Sequence, residues 1–294
     1  MQIPAGLRWW SGEPGGSEWL AALPQLVQEL VGAWALRIET PVQPASVAYV
    51  ALVRLADGQP AVLKLNKPEA ESAQEADALD HWDGRGAVRL IAQDRERHAL
   101  LLERCVPGTR LRELPELAAL EVAAGILRCL RRPAPAASRY RLLADVARGW
   151  TVEIQDRWTK FGHPYERALL DFALERIGDL AASATEPVVL HQDLHAGNIL
   201  RAEREPWLAI DPKPLVGDPA FDAASILRDR RGELALQPDP ARLMRWRLDS
   251  LADLLALDRE RLRGWGVVHA LAWASGNGDE DQLLVACARL LAAA

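Results

Sequence analysis

Residues 188–222 read VVLHQDLHAGNILRAEREPWLAIDPKPLVGDPAFD, and the spacing of polar groups between their short apolar runs decides the fold. Val188-Val189-Leu190 is too short for a helix and β-branched enough for a strand. A polar loop follows, from His191 to Asn198. Two further apolar runs, Ile199-Leu200 and residues 207–210, flank the charged turn 201–205, which predicts a hairpin. Asp211 stands where the second run stops. Asp193, Asn198 and Asp211 are therefore expected at strand ends around one hairpin, aimed at a common point. Two carboxylates and a carboxamide gathered there suit a hard cation such as Mg²⁺ holding a substrate phosphate.

The Asp193-to-Asn198 spacing equals that of the catalytic loop of protein kinases, with Asp211 in the place of the downstream metal-binding aspartate. A second element points the same way. Residues 46–55 and 61–65 read as paired strands around the turn Ala56-Asp57-Gly58-Gln59. Lys64 lies in the return strand, within Ala-Val-Leu-Lys-Leu. Lysine occurs only four times among 35 basic residues, so this chain seldom uses it as a mere positive charge. In a kinase such a strand lysine grips the nucleotide phosphates and is held by a helix glutamate. Residues 69–82 supply that helix, with Glu75 preferred over Glu71 because Ala76 and Leu79 can pack beside it. The loop that covers the phosphates is ordinarily glycine-rich, yet residues 41–50 read PVQPASVAYV without one glycine. Ser46 is the residue there that can donate to phosphate.

The remaining elements give a bilobal layout. Residues 17–36 predict an amphipathic helix capped by Ser17, and residues 87–92 and 98–102 complete a small antiparallel sheet. After Leu100-Leu101-Leu102 the chain relaxes through Glu103 to Gly108, where a hinge is expected. Backbone groups near Glu103 and Cys105 would there bond an adenine ring. From residue 111 onward the pattern is helical, over 113–132, 138–158, 165–182, 218–231, 240–257, 259–275 and 279–293. The fold class is thus α+β. An antiparallel-sheet lobe spans residues 1–104, a hinge 105–110 and a larger helical lobe 111–294, with a ligand in the crevice between lobes.

Composition narrows the partners. The net charge of −6 argues against nucleic acid, and it suits a cationic substrate as well as simple solubility. Cys105, Cys129 and Cys287 are odd in number and widely spaced, which excludes a disulfide framework or zinc site and fits a reducing cytoplasm. No run reaches the roughly 18 apolar residues of a membrane span, nor does a signal peptide open the chain. His191 and His195, four apart, lack the intervening Glu and helical frame of a zinc pair. His191 is expected to hold the loop through backbone bonds. Asp218 and Asp222 are spaced like helix cap and first-turn residues, with capping favoured for Asp222, which is expected with His191 to structure the loop, and substrate contact open for Asp218. Lys213 reads equally as a phosphate or substrate contact and as a surface lysine.

Residues 191–200, Ile210-Asp211-Pro212-Lys213 and residues 217–222 resemble the aminoglycoside phosphotransferase family, most closely its streptomycin 6-kinase and hydroxyurea phosphotransferase branch. The similarity extends to residues 46–50, 82–90 and 100–104. It implies a protein-kinase-like fold, ATP and Mg²⁺, and phosphorylation of a hydroxyl on a small molecule. It further implies Asp193 as catalytic base, Asn198 and Asp211 as Mg²⁺ ligands, and Lys64 with Glu75 as phosphate clamp. Gln192 departs from the wider family, where Gly is common. Too few residues separate Asp211 from the helix near Asp218 for a kinase activation segment, which argues against a protein substrate. Three readings remain: a kinase of a cationic aminocyclitol antibiotic, a metabolic kinase of a sugar or other small alcohol, and a nucleotide-binding protein without turnover. For the first, Glu153, Asp156, Asp218 and Asp279 are candidates to receive amines or guanidines, and Trp273 to line the acceptor pocket. The acceptor's identity and the oligomeric state are not legible in the chain.

Overall fold

A computed structural model of the chain describes residues 3–42, 47–70, 72–136, 139–183 and 186–294. The chain divides into two compact units, Met1–Gly108 with Ala202–Leu208, and Thr109–Arg201 with Ala209–Ala294.

The first unit opens with a 3-10 helix, Ala5–Gly12, and helix α1, Gly16–Ala33. Ser17 does not cap α1; its hydroxyl bonds the Ser11 carbonyl, and Gly15 holds the cap position. Strands β1 (Arg37–Pro41), β2 (Ala48–Arg54) and β3 (Pro60–Asn66) come next, then helix α2 (Glu75–Trp82), β4 (Leu90–Asp94) and β5 (Ala99–Glu103). They form one antiparallel sheet in the order β1-β2-β3-β5-β4. Strand β1 has no counterpart in the sequence reading because its side chains are mostly exposed and do not alternate. One sheet face buries Tyr49, Ala51, Val53, Ala61, Leu63 and Leu65 together with Leu20, Leu23, Val27 and Leu30 of α1 and with Leu7 and Trp10. Each buried aliphatic side chain contributes about 1.5–3 kcal/mol relative to exposure. Strand alternation sends Lys64 and Asn66 to the opposite face from Leu63 and Leu65.

The second unit is mainly helical. A 3-10 turn, Leu111–Glu113, precedes α3 (Glu116–Leu130), the two-residue strand β6 (Arg141–Leu142), α4 (Leu143–Lys160) and α5 (Arg167–Ala182). Strand β7 (Val188–Leu190), the hairpin strands β8 (Ile199–Arg201) and β9 (Trp207–Ala209), and β10 (Leu215–Gly217) follow. Helices α6 (Pro219–Leu227), α7 (Arg231–Ala235), α8 (Pro240–Leu255), α9 (Arg259–Trp273) and α10 (Asp279–Ala292) complete the chain. The helix expected over 218–231 is therefore two helices, interrupted at Arg230, which adopts a left-handed conformation.

Helix α9 is buried over most of its length from Leu262 to Ala272 and packs against α5, α6 and α10. A small sheet, β6-β10-β7, places β10 antiparallel to β7, with Leu215 opposite Leu190 and Gly217 opposite Val188. A Cβ on Gly217 would stand 2.5 Å from the Leu143 Cβ, so only glycine lets β10 lie this close to α4. The pairing sets the loop that leaves β7 beside the segment that enters β10.

The hairpin tip, residues 202–208, groups with the first unit, whereas the sequence reading assigned it to the helical lobe. Arg204 accounts for this. Its Nε and Nη2 donate to the two carboxylate oxygens of Glu103 at 2.8 and 2.9 Å, and Nη2 also reaches the Ala87 carbonyl at 2.9 Å.

Candidate active site

In the first unit, Lys64 stands mid-strand in β3, opposite Val50 of β2 and Leu100 of β5. Its Nζ donates to both oxygens of Glu75, at 2.6 and 2.7 Å, and Asn66 Nδ2 adds a third bond to Glu75 at 2.9 Å. Glu75 is 1% exposed and opens α2, so the pair is fixed by strand and helix together. Ser46, together with Glu71, lies outside the described residues. The Glu103 carboxylate is occupied by Arg204 and by the Arg89 N–H, and the Glu103 N–H donates to the Arg89 carbonyl. Burial pushes the Cys105 thiol up to about 12, so that group stays protonated.

In the second unit, the loop after β7 is built from backbone contacts. The His191 carbonyl accepts from the N–H groups of Asp193 (2.9 Å) and Lys213 (3.0 Å), and the second of these ties the loop to the segment entering β10. Asn198 accepts the Ile210 N–H at 2.9 Å, which sets Asp211 next to Asn198. Asn198 Nδ2 donates to the Asp193 carbonyl at 3.0 Å, leaving its Oδ1 as the atom available to a cation. Asp211 has φ +62°, a conformation that Asp tolerates better than most residues. Gln192 has φ +66°, and this is why glycine suits that position.

Asp193 is half-buried. Lys213 Nζ stands 3.4 Å from its Oδ2, and His195 Nε2 stands 3.9 Å from its Oδ1. His195 Nδ1 accepts the Gly197 N–H at 3.0 Å, so its proton is on Nε2, toward Asp193. Burial lowers the pKa of His195 and carries His191 down to about 4; both rings are neutral at pH 7. His191 Nε2 donates to the Ile210 carbonyl at 3.0 Å. The loop carbonyls and rings thus leave Asp193 facing one lysine and one imidazole N–H.

Helix α6 and the turn that follows it hold this loop. Asp222 accepts the N–H groups of His191 and Gln192, one on each carboxylate oxygen, at 2.6 and 2.7 Å. The Ser225 hydroxyl bonds the Leu194 carbonyl, and Asp229 accepts the Ala196 N–H at 2.6 Å. Positions 222, 225 and 229 recur at helical spacing, a signal that could have identified Ser225 and Asp229 from sequence. Burial raises Asp222 to about 7, while its two backbone bonds pull the other way.

Asp218, not Asp222, takes the capping role, and the Asp222 oxygens serve the loop instead. Asp218 is the N-cap of α6: one oxygen accepts the Ala220 N–H at 3.0 Å, and the other is taken by Arg261 and by Trp265 Nε1. A carboxylate so occupied and 4% exposed has no oxygen left for a substrate. Glu153 and Asp156 lie on the exposed side of α4, away from its buried Trp150 and Ile154, and Asp279 is exposed at the start of α10. None of the three joins the Asp193 cluster. Trp273 ends α9 stacked on His269, with ring centroids 3.9 Å apart, and edge-on to Trp150. A separate cavity of about 420 Å³ is lined by Arg157, Trp158, Phe161, Tyr165 and Asp281, among others, and includes neither Asp193 nor its partners.

Among the described residues no three His, Cys, Asp or Glu side chains gather as a metal cluster. Asn198 Oδ1 and the Asp211 carboxylate nonetheless fit Mg²⁺, which takes few protein oxygens and keeps several waters.

A family model for aminoglycoside/hydroxyurea antibiotic resistance kinases matches residues 33–280. The chain belongs to this family. It is 39% identical over 252 residues to a streptomycin 6-kinase of Streptomyces glaucescens, covering 85% of this chain and 81% of the relative. It is 40% identical over 276 residues to a hydroxyurea phosphotransferase of Kitasatospora aureofaciens, covering 91% and 78%. The solved structure of the aminoglycoside phosphotransferase APH(4)-Ia superposes with a TM-score of 0.63 at 16% identity, over 92% of this chain and 98% of that one. The fold is therefore kinase-like, and this aminoglycoside/hydroxyurea resistance kinase is a phosphotransferase acting on a hydroxyl group. No helix among the described residues is long and apolar enough to cross a membrane.

Proposed function

We propose that the protein transfers the γ-phosphate of ATP, with Mg²⁺, to a hydroxyl of a streptomycin-like aminocyclitol in the cytoplasm. The observation that carries this reading is the Asp193 carboxylate, set beside Lys213 and His195 on a loop fixed by Asp222, Ser225 and Asp229. Asp193 takes the proton of the acceptor hydroxyl as the oxygen attacks phosphorus. Lys213 stands at the second oxygen of that carboxylate and orients it. Asn198 Oδ1 and Asp211 would hold the Mg²⁺, whose charge would offset that of the phosphoryl group. Lys64, oriented by Glu75, engages the nucleotide phosphates. The neutral His195 directs its Nε2–H toward Asp193.

The streptomycin and hydroxyurea relatives are equally similar to this chain, so hydroxyurea is the second acceptor to test. Purified protein is assayed for ADP release and phosphorylated product with streptomycin, hydroxyurea and hygromycin B, with and without EDTA. Streptomycin phosphorylation that EDTA abolishes is expected, and Asp193→Ala lowers its rate by about 10²–10⁴, the usual worth of a positioned base. Turnover of hydroxyurea alone replaces the acceptor assignment. Near-wild-type turnover in Asp193→Ala removes the catalytic one.

A further inference from the structure

Arg228 is the C-cap of α6 and is 7% exposed. Its Nε donates to His269 Nδ1 at 2.8 Å, and its guanidinium carbon lies 5.2 Å from the ring centroid of Trp273. Trp273 in turn stacks on His269 with the rings 10° from parallel. His269 is fully buried, and burial drives its pKa well below the usual value, so the ring stays neutral and its Nδ1 remains an acceptor. The guanidinium is thereby held at one edge and over one face.

Its other edge is uncommitted. Among the described residues, Nη1 and Nη2 donate to no protein group, and no carboxylate forms an ion pair with Arg228. The adjacent Asp229 uses one oxygen on the Ala196 N–H and the other on the Arg230 N–H. A buried guanidinium without a carboxylate partner is costly, and an arginine this burdened marks a ligand rather than a packing site. Of the carboxylates around it, Asp193 acts on it most strongly, although burial still draws Arg228 down to about 10. It remains charged at pH 7. Arg228 also lowers the pKa of His195, which stands at Oδ1 of Asp193, while Lys213 stands at Oδ2. Arg228 also lies between Ser225, whose hydroxyl bonds the Leu194 carbonyl, and Asp229, which accepts the Ala196 N–H, so it stands in the segment that flanks the loop carrying Asp193.

We propose that Arg228 binds the acceptor: its two free amino groups take a pair of oxygen atoms on the substrate, next to the hydroxyl that Asp193 deprotonates. Trp273, with Trp150 and Phe221 behind it, backs the guanidinium with aromatic surface suited to the face of a polyol ring. His269 is a positioning residue, acting through Arg228. The same charge repels an ammonium or guanidinium at that spot, so a cationic acceptor must present its hydroxyl flank here and direct its cationic groups elsewhere. The inference rests on the reaction proposed above.

The test measures acceptor KM, ATP KM and kcat for Arg228→Gln, Arg228→Lys, His269→Asn and His269→Leu. Thermal unfolding, and its shift by ADP, reports whether each variant is folded. With streptomycin, Arg228→Gln is expected to raise acceptor KM about 10- to 100-fold, the worth of hydrogen bonds to a charged group, with ATP KM within about twofold. Arg228→Lys recovers little, because an ammonium lacks the fork. His269→Asn, which keeps an acceptor for Nε, falls between wild type and His269→Leu. A fall in kcat with acceptor KM unchanged assigns the guanidinium to the phosphoryl group and overturns the proposal. All constants within twofold of wild type also overturn it. If the Arg228 variants do not fold, the His269 pair decides, and equal acceptor KM in wild type, Asn and Leu forms is the refuting result. Wild type that ignores streptomycin but phosphorylates hydroxyurea or hygromycin B refutes the acceptor assignment only, and the series is then read on that compound. No turnover of any of the three overturns both.

Discussion

Replacing Asp222 by Asn tests whether the catalytic loop is held from α6. Each Asp222 oxygen accepts one buried backbone N–H, from His191 at 2.6 Å and from Gln192 at 2.7 Å. Asparagine offers one oxygen, and its NH₂ then meets the second N–H, donor against donor. One charge-assisted bond is lost, worth about 1.5–3 kcal/mol, and the survivor drops to the strength of a neutral bond. The stranded N–H adds a desolvation cost of about 1–3 kcal/mol. Against this, an amide avoids burying a charge, the penalty that raises Asp222 to about 7. The net expectation is a loss of about 2–4 kcal/mol.

That loss falls on the segment carrying Asp193, two residues beyond His191, and misplacing a reacting group by 1 Å costs about 10²-fold in rate. Asp222→Asn is therefore expected to lower kcat at least about 10²-fold and to lower Tm by roughly 5–10 °C. Asp218→Asn is the control. Its carboxylate serves Ala220, Arg261 and Trp265, none of them in the catalytic loop, so Tm should fall while kcat stays within a few fold. Steady-state kinetics with scanning calorimetry reads both. Asp222→Asn with unchanged Tm and kcat, or the two variants behaving alike, would refute the idea that Asp222 positions the loop.

Glu75→Ala removes the carboxylate that holds the buried Lys64 ammonium and should cost about 3–5 kcal/mol, with weaker ADP binding by calorimetry; an unchanged ADP affinity would sink the clamp. Arg204→Ala removes the Glu103 and Ala87 contacts of a partly exposed side chain and should cost about 1–2 kcal/mol, with faster amide exchange over residues 202–208. His191 and Asp222 act oppositely with pH. The depressed His191 pKa gives stability that is present above 6.5 and lost as pH falls toward 4, worth about 3 kcal/mol. The raised Asp222 pKa gives stability that is present below about 4 and lost as pH rises through 7. Wild-type stability should thus be nearly flat from pH 4 to 6.5, and His191→Gln should fall over that range in urea titrations. A flat His191→Gln profile would contradict the assignment.

How far the chain could be read depended on how far apart the partners lie. The loop at residues 191–198 was legible because its chemistry is local: Asn198 bonds a carbonyl five positions back, and Lys213 is twenty positions from Asp193. The helices were legible from periodicity, less their ends. Strands β1 and β6 were not, because an exposed edge strand and a two-residue strand exist only by virtue of the strand beside them. Carboxylate roles divide by the same rule. Glu153, Asp156 and Asp279 looked like receivers of amines, yet only the packed helices decide which side of each helix meets solvent. Asp218 and Asp222 share a motif and a helix, and sequence alone makes either a cap. What separates them is who reaches for their oxygens: Arg261 and Trp265, 43 and 47 positions on, take Asp218, and two loop amides 31 and 30 positions back take Asp222. Arg228 follows suit, since its partner His269 is 41 positions away, and its free edge becomes visible only once that bond is placed.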